Sequence, residues 1–266
     1  MKILKQAVLA LPLAAVSMTA HAGVVLEMEY RDLAEKTSTT SQTFVEGKFI
    51  KMKTVHAGGA ADADMIYRPG GAGRTAEMLM IDHGEKSYAV MDESSMKRVG
   101  SMMDEALKSV PPEQRAMVME MMKQQGQVPG APQEPKRELR ATGRGDTVAG
   151  IGCKVWEALE NGVKTQEICA AGSSAFPGGA EAMPAFIDLS RFMQKMLASM
   201  PSIGAAMDQS LADYEKLNGF PLRVRDYEGG KVTSEVLFKS SKTQTLAPSF
   251  FQAPAGYKRQ DMFGGN

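Results

Sequence analysis

"DTVAGIGCKVWEALENGVKTQEICAA", residues 146–171, decides the fold. Apolar and polar residues alternate along both of its halves, the two-residue period of strands with one buried face. "ENG" (160–162) separates the halves, and Gly162 suits the left-handed position of a three-residue hairpin loop. That loop pairs Leu159 with Val163. Stepping outward from this pair sets Cys153 directly opposite Cys169, a register in which a disulfide forms without moving the backbone. On the chain-entropy model such a bridge stabilises by roughly 3 kcal/mol.

The same period continues in both directions. "VVLEMEYRD" (24–32), "QTFVEGKFIKMKT" (42–54), "DMIYRP" (64–69) and "AEMLMIDHGEKSYAVMD" (76–92) predict six strands, with "EGK" and "HGE" as glycine-bearing hairpin tips. "RELRAT" precedes the opening stretch. "FPLRVRDYEGGKVTSEVLFKS" (220–240) follows it, turning at Gly229-Gly230. Two segments break the pattern with a period of 3.6. In 93–126 the stripe runs Met96, Val99, Met103, Leu107 and Val110. Pro111 and Pro112 then end one helix and open a second, which carries Met117, Met119, Met121 and Met122. In 183–217 a helix over 184–200 carries Phe186, Leu189, Met193, Met196, Leu197 and Met200. Pro201 separates it from another over 202–217. The expected fold is therefore α+β: a meander of about 10–11 antiparallel strands in one sheet. Two inserted helical pairs must lay their apolar stripes on something, most simply one face of that sheet.

The N-terminus has the form of an export signal. Lys2 and Lys5 precede the apolar "AVLALPLAAVSM", and "AHA" (20–22) is a cleavage motif. Cleavage near Ala22 leaves a single domain over 23–266, expected to be soluble and either periplasmic or secreted. Removing Lys2 and Lys5 leaves 29 basic against 31 acidic residues, a net charge near −2. That balance argues against nucleic acid as a partner. The two cysteines, in an exported chain, fit one disulfide.

Two stretches resemble a known family. "ATGRGDTVAGIGCKVWEALENG" supplies Thr142, Gly143, Val148, Gly150, Cys153 and Trp156. Cys169 follows, and "FFQAPAGYKRQ" supplies Phe251, Pro254, Gly256 and Tyr257. Together they resemble the exported bacterial domain of unknown function 4412, which is similar in outline to the LolA/LolB-like carriers of lipid or lipoprotein acyl chains. The resemblance implies that the antiparallel sheet is open (unclosed), curved and barrel-like, with the two inserted helical pairs covering its concave face.

Methionine is the unusual component, with 21 in the chain. Thioethers fill irregular gaps between helix and sheet. They also repack around varied apolar ligands. On the second view the helices form a lid, hinged at the Gly- and Pro-rich segments 126–136 and 172–182, over a cavity lined by Met103, Leu107, Met117, Met121, Trp156, Met193, Met196 and Met200. The strands, with ordinary Val, Ile, Leu and Tyr, form the body. A rival is copper(I) held by Met117 and Met121 at i, i+4, since soft thioethers select that ion. No His or Cys lies near them, so no metal and no other cofactor is expected. "RPGGAGRT" (68–75) lacks the Gly-Lys-Ser/Thr ending of a phosphate loop and is expected to be a hairpin loop. His83 is expected at a hairpin tip, in water. No catalytic spacing stands out. The expectation is a non-catalytic carrier of a hydrophobic small molecule, lipid or lipoprotein acyl chain, with transient envelope or membrane contacts. The alternatives are a Met-lined copper(I) protein and an envelope structural or interaction protein.

Overall fold

The computed structural model describes residues 23–55, 63–71, 73–98, 101–102, 110–111, 136–198 and 216–261. Their strands are β1 Gly23–Asp32, β2 Thr37–Glu46, β3 Phe49–Val55, β4 Ala63–Arg68, β5 Glu77–Asp82, β6 Ser87–Met91, β7 Arg137–Val148, β8 Ile151–Glu160, β9 Val163–Ala171, β10 Phe220–Glu228, β11 Lys231–Gln244 and β12 Lys258–Gln260. They form one sheet in the order β12-β6-β5-β4-β3-β2-β1-β11-β10-β9-β8-β7. The six strands expected in the first third are present. The sheet is open, with β12 and β7 at its edges, and every pairing is antiparallel except β12 on β6. That short parallel strand is the one the alternation does not announce, because three residues are too few to show a period.

One long helix is described, α1, Gly179–Ala198. Residues 93–98, 101–102 and 216–217 are also helical. The remainder of the two expected helical pairs lies outside the described residues. Among the described residues no helix is long and apolar enough to cross a membrane.

The sheet curls around α1. Ten strands spaced about 4.8 Å apart would make a flat sheet about 43 Å wide, against a helix about 10 Å across. Yet residues of β1–β5 and β7–β11 share one buried cluster with Ala182, Ala185, Phe192 and Met196 of α1. A concave face is the geometry that brings them together. A second cluster lies on the outside, where Phe251 and Leu246 of the C-terminal segment pack with Ile66, Leu79 and Ile81.

The opening stretch folds as a hairpin, with two differences. Its turn is the two residues Asn161 and Gly162, both at positive φ (51° and 81°), and Glu160 pairs with Val163. A register shift follows between Ala158 and Leu159. Cys169 therefore opposes Val155, not Cys153. The disulfide forms diagonally across the ladder, with Cα atoms 5.4 Å apart. The local reason is Asn161: asparagine tolerates the left-handed region, so the tighter turn with two positive φ angles wins.

The β5–β6 hairpin differs too. Its positive φ falls on Lys86 (48°) rather than on Gly84. The α1 entrance also departs from expectation. The helix begins at Gly179, five residues before Pro184, which sits inside it and forgoes one backbone hydrogen bond. Phe176 is buried in the main cluster. Gly178, at φ +76°, lies so close to Val24 that a Cβ would meet its side chain at 2.5 Å. At Gly179 a Cβ would meet the Ser173 carbonyl oxygen at 2.1 Å. This end of the helix is an anchor, where the composition of 172–182 suggests a hinge.

Candidate functional site

The inner face of β1–β6 is built from rows. These six strands pair without a register break, and directly paired residues share a face. The first row is Val24, Val45, Ile50, Tyr67, Met78 and Met91. Its first five members are at most 4% exposed. α1 seals it: the Tyr67 and Phe192 rings lie 5.3 Å apart. Tyr67 also donates a hydrogen bond to Asp188 of α1.

Two residues further along each strand is the second row: Leu26, Thr43, Met52, Met65, Met80 and Ala89. Leu26 and Thr43 remain buried, Met52 is half-buried, and Met65 and Met80 are 36% and 45% exposed. A third row holds Met28, Ser41, Thr54, Ala63, Asp82 and Ser87, mostly polar. The apolar lining thus runs one row past the helix before it gives way to a polar rim. Exposed large apolar side chains set side by side are the informative kind of surface.

The outer face of the same strands is closed by the C-terminal segment. The buried Asp64 carboxylate lies 2.9 Å from Lys51 Nζ and 3.1 Å from His83 Nε2. His83 Nδ1 in turn lies 2.8 Å from the hydroxyl of Tyr257, near the chain end. Lys51 Nζ sits 4.7 Å from the Phe250 ring centre. His83 is thus tied into a polar chain instead of standing in water, because a segment remote in sequence returns to cover the hairpin.

The other half of the sheet carries a strand-crossing ion-pair network. Arg31 reaches Glu235 (3.5 Å), Glu235 pairs with Arg225 (2.7 Å), and Arg225 reaches Glu167 (3.6 Å). Glu167 also meets Lys164 at 3.0 Å and Arg144 at 3.2 Å. Burial pushes the Glu167 carboxyl up, but the hydrogen bonds and charges of Lys164 and Arg144 together outweigh this and hold it below its ordinary value. The network ties β1, β11, β10, β9 and β7 together across the sheet, with two carboxylates each shared among cations of neighbouring strands.

The predicted site residues are divided. Met193 and Met196 lie on α1 against the main cluster, which also contains Cys153 and Cys169. Trp156 packs elsewhere, with Ile168, Ala170 and Leu217. It borders an open cleft of about 880 Å³ with Lys154 and Leu217. Met103, Leu107, Met117, Met121 and Met200 lie outside the described residues. Sequence reasoning misses Met52, Met65 and Met80. The strands hold Met28, Met52, Met65, Met78, Met80 and Met91, so methionine is no speciality of the helices. The alternation contains them, but only the pairing register lines them up. Among the described residues no three His, Cys, Asp or Glu side chains gather as a metal site.

The family-like residues have structural tasks. Thr142 Oγ1 donates to the Val155 carbonyl at 2.7 Å, and Gly143 takes a positive φ (74°) at a break in the β7–β8 register. Gly150 (φ 80°) turns β7 into β8. Phe251 is buried, and Gly256 (φ 84°) precedes the Tyr257 that meets His83.

Among solved structures, the chain is similar to an uncharacterized conserved protein from Thermus thermophilus. The identity is 8%, the match covers 90% of each chain, and the TM-score is 0.45. It is also similar to a DUF1329 family protein from Desulfovibrio piger, at 10% identity over 88% of this chain and 91% of that one, TM-score 0.32. A further likeness is to a chain of the Pseudomonas aeruginosa MucA/MucB complex, at 12% identity over 89% of this chain and 57% of that one, TM-score 0.31. No functionally curated protein matches the sequence. The family model described as domain of unknown function DUF4412 matches residues 45–257, and the chain belongs to that family.

Proposed function

We propose that this protein is a non-catalytic binding or carrier protein of the bacterial envelope, periplasmic or secreted, for a hydrophobic ligand such as an acyl chain. The observation that carries this reading is the open second row. Met65 and Met80 stand exposed beside Met52, on the same face that α1 seals one row away. An apolar chain laid there would remove those side chains from water and extend the buried core by one row. The gain is about 25 cal/mol for each Å² covered. Unbranched thioethers suit such a surface because they adapt to chains of different shape. In this reading Met193 and Met196 of α1 belong to the sealed floor beside the shelf. Trp156 belongs to a separate cluster and has no part in it.

The test uses a fluorescent fatty acid titrated into the folded protein. Wild type should take it up, and Met65→Lys or Met80→Lys should abolish uptake with circular dichroism unchanged, since both positions are exposed. A wild-type protein that takes up no apolar probe would refute the reading. So would lysine variants that bind as well as wild type.

A further inference from the structure

The shelf has a second chemical character. Met52 on β3 pairs directly with Met65 on β4, and Met65 pairs directly with Met80 on β5. Three thioethers therefore stand on successive strands in one row. Directly opposed residues of antiparallel strands have Cβ atoms about 4.5–5.5 Å apart. Each sulfur lies two flexible bonds beyond its Cβ. Sulfurs bound to one ion at about 2.3 Å lie about 4–4.6 Å from each other, close to the strand spacing of about 4.8 Å. Small rotamer adjustments thus suffice to close two neighbouring thioethers on one ion; the outer two, Met52 and Met80, start about 9.6 Å apart and join the same ion by both leaning inward over Met65.

The surroundings decide which ion. Thioethers are neutral and soft, and they select Cu(I)-like ions over hard cations. The flanking members of the row, Thr43 and Ala89, are uncharged. In the three inner rows of β1–β6 the one charged side chain is Asp82, a carboxylate, which favours a cation. Exposure of Met65 and Met80 lets an ion arrive from solvent. We propose that Met52, Met65 and Met80 form a binding site for a soft monovalent metal ion, Cu(I) or its redox-inert analogue Ag(I). This goes beyond the apolar-ligand reading and does not depend on it.

The experiment is a titration of the ligand-free, full-length folded protein with Ag(I), followed by methionine ε-methyl NMR and native mass spectrometry. The ε-methyl signals of Met52, Met65 and Met80 should shift together and saturate at one ion. The variant Met52→Leu/Met65→Leu/Met80→Leu conserves size and apolar character. It should lose affinity for that ion at least about tenfold. Because two of these positions are exposed, Met65→Leu and Met80→Leu are also made singly, and each should weaken binding. Silver that binds without moving these three methyl signals overturns the proposal. Unchanged affinity in the folded triple variant or in both single variants does so equally.

Discussion

The phenol of Tyr67, on β4, donates a 2.8 Å hydrogen bond to Oδ2 of Asp188, on α1. Lys48 reaches the other carboxylate oxygen at 3.3 Å. Burial first, and then the Asp188 carboxylate, push the ionisation of the Tyr67 hydroxyl up, so it stays a donor throughout the working range. Tyr67→Phe should cost about 1–2 kcal/mol in urea denaturation. Amide exchange along α1 should quicken in the same variant. Equal stability and exchange would mean that the packing of Phe192 holds the helix unaided.

The Cys153–Cys169 bridge closes a short loop between β8 and β9 and lies within the cluster that α1 covers. Replacing both cysteines by serine should lower stability by about 2–5 kcal/mol. Thermal unfolding of the oxidised protein and the variant measures this. Peptide mapping without reductant should recover the two cysteines joined.

Lys51 and Asp64 form a buried pair, with side chains 7% and 0% exposed. Removing one partner leaves an uncompensated charge, so Lys51→Met should cost about 3–5 kcal/mol. The double change Lys51→Met/Asp64→Leu removes both charges and should recover much of that loss. A double variant no better than the single one would show that His83 and the C-terminal segment need the Asp64 carboxylate for themselves.

Glu29 carries a pH prediction. Hydrogen bonds from Arg31, then from Lys239 and Ser38, hold its carboxyl down from 4.5 to about 2. A depressed carboxyl contributes stability that is complete above the unfolded value and is lost as pH falls through the folded one. That contribution should therefore fade between about pH 4.5 and pH 2. Glu29→Gln should be less stable than wild type at neutral pH, with a shallower acid limb in that window. Parallel limbs in urea titrations at several pH values would contradict this.

The sequence by itself determined eleven of the twelve described strands, their antiparallel class and the pairing of the two cysteines. Alternation is a local property, and a residue such as Val24 or Ile50 declares its buried face through its neighbours two positions away. It also located the helical stripe of α1, because Leu189, Met193 and Met196 repeat at helical spacing. Turn detail was less legible. "ENG" admits both a two- and a three-residue loop, and only the assembled ladder chose, moving Cys169 from opposite Cys153 to opposite Val155.

Tertiary structure alone decided what meets what across distant parts of the chain. In the sequence His83 reads as a solvated loop residue; the C-terminal segment brings Tyr257 to it. Gly178 and Gly179 read as a hinge, and packing against Val24 and the Ser173 carbonyl makes them an anchor. Met52, Met65 and Met80 are three unrelated strand residues until the register of β3, β4 and β5 sets them in one row. Periodicity tells which face a side chain takes, but not which side chain lies beside it on the next strand. That is fixed by turn geometry and by the core on which the strands close.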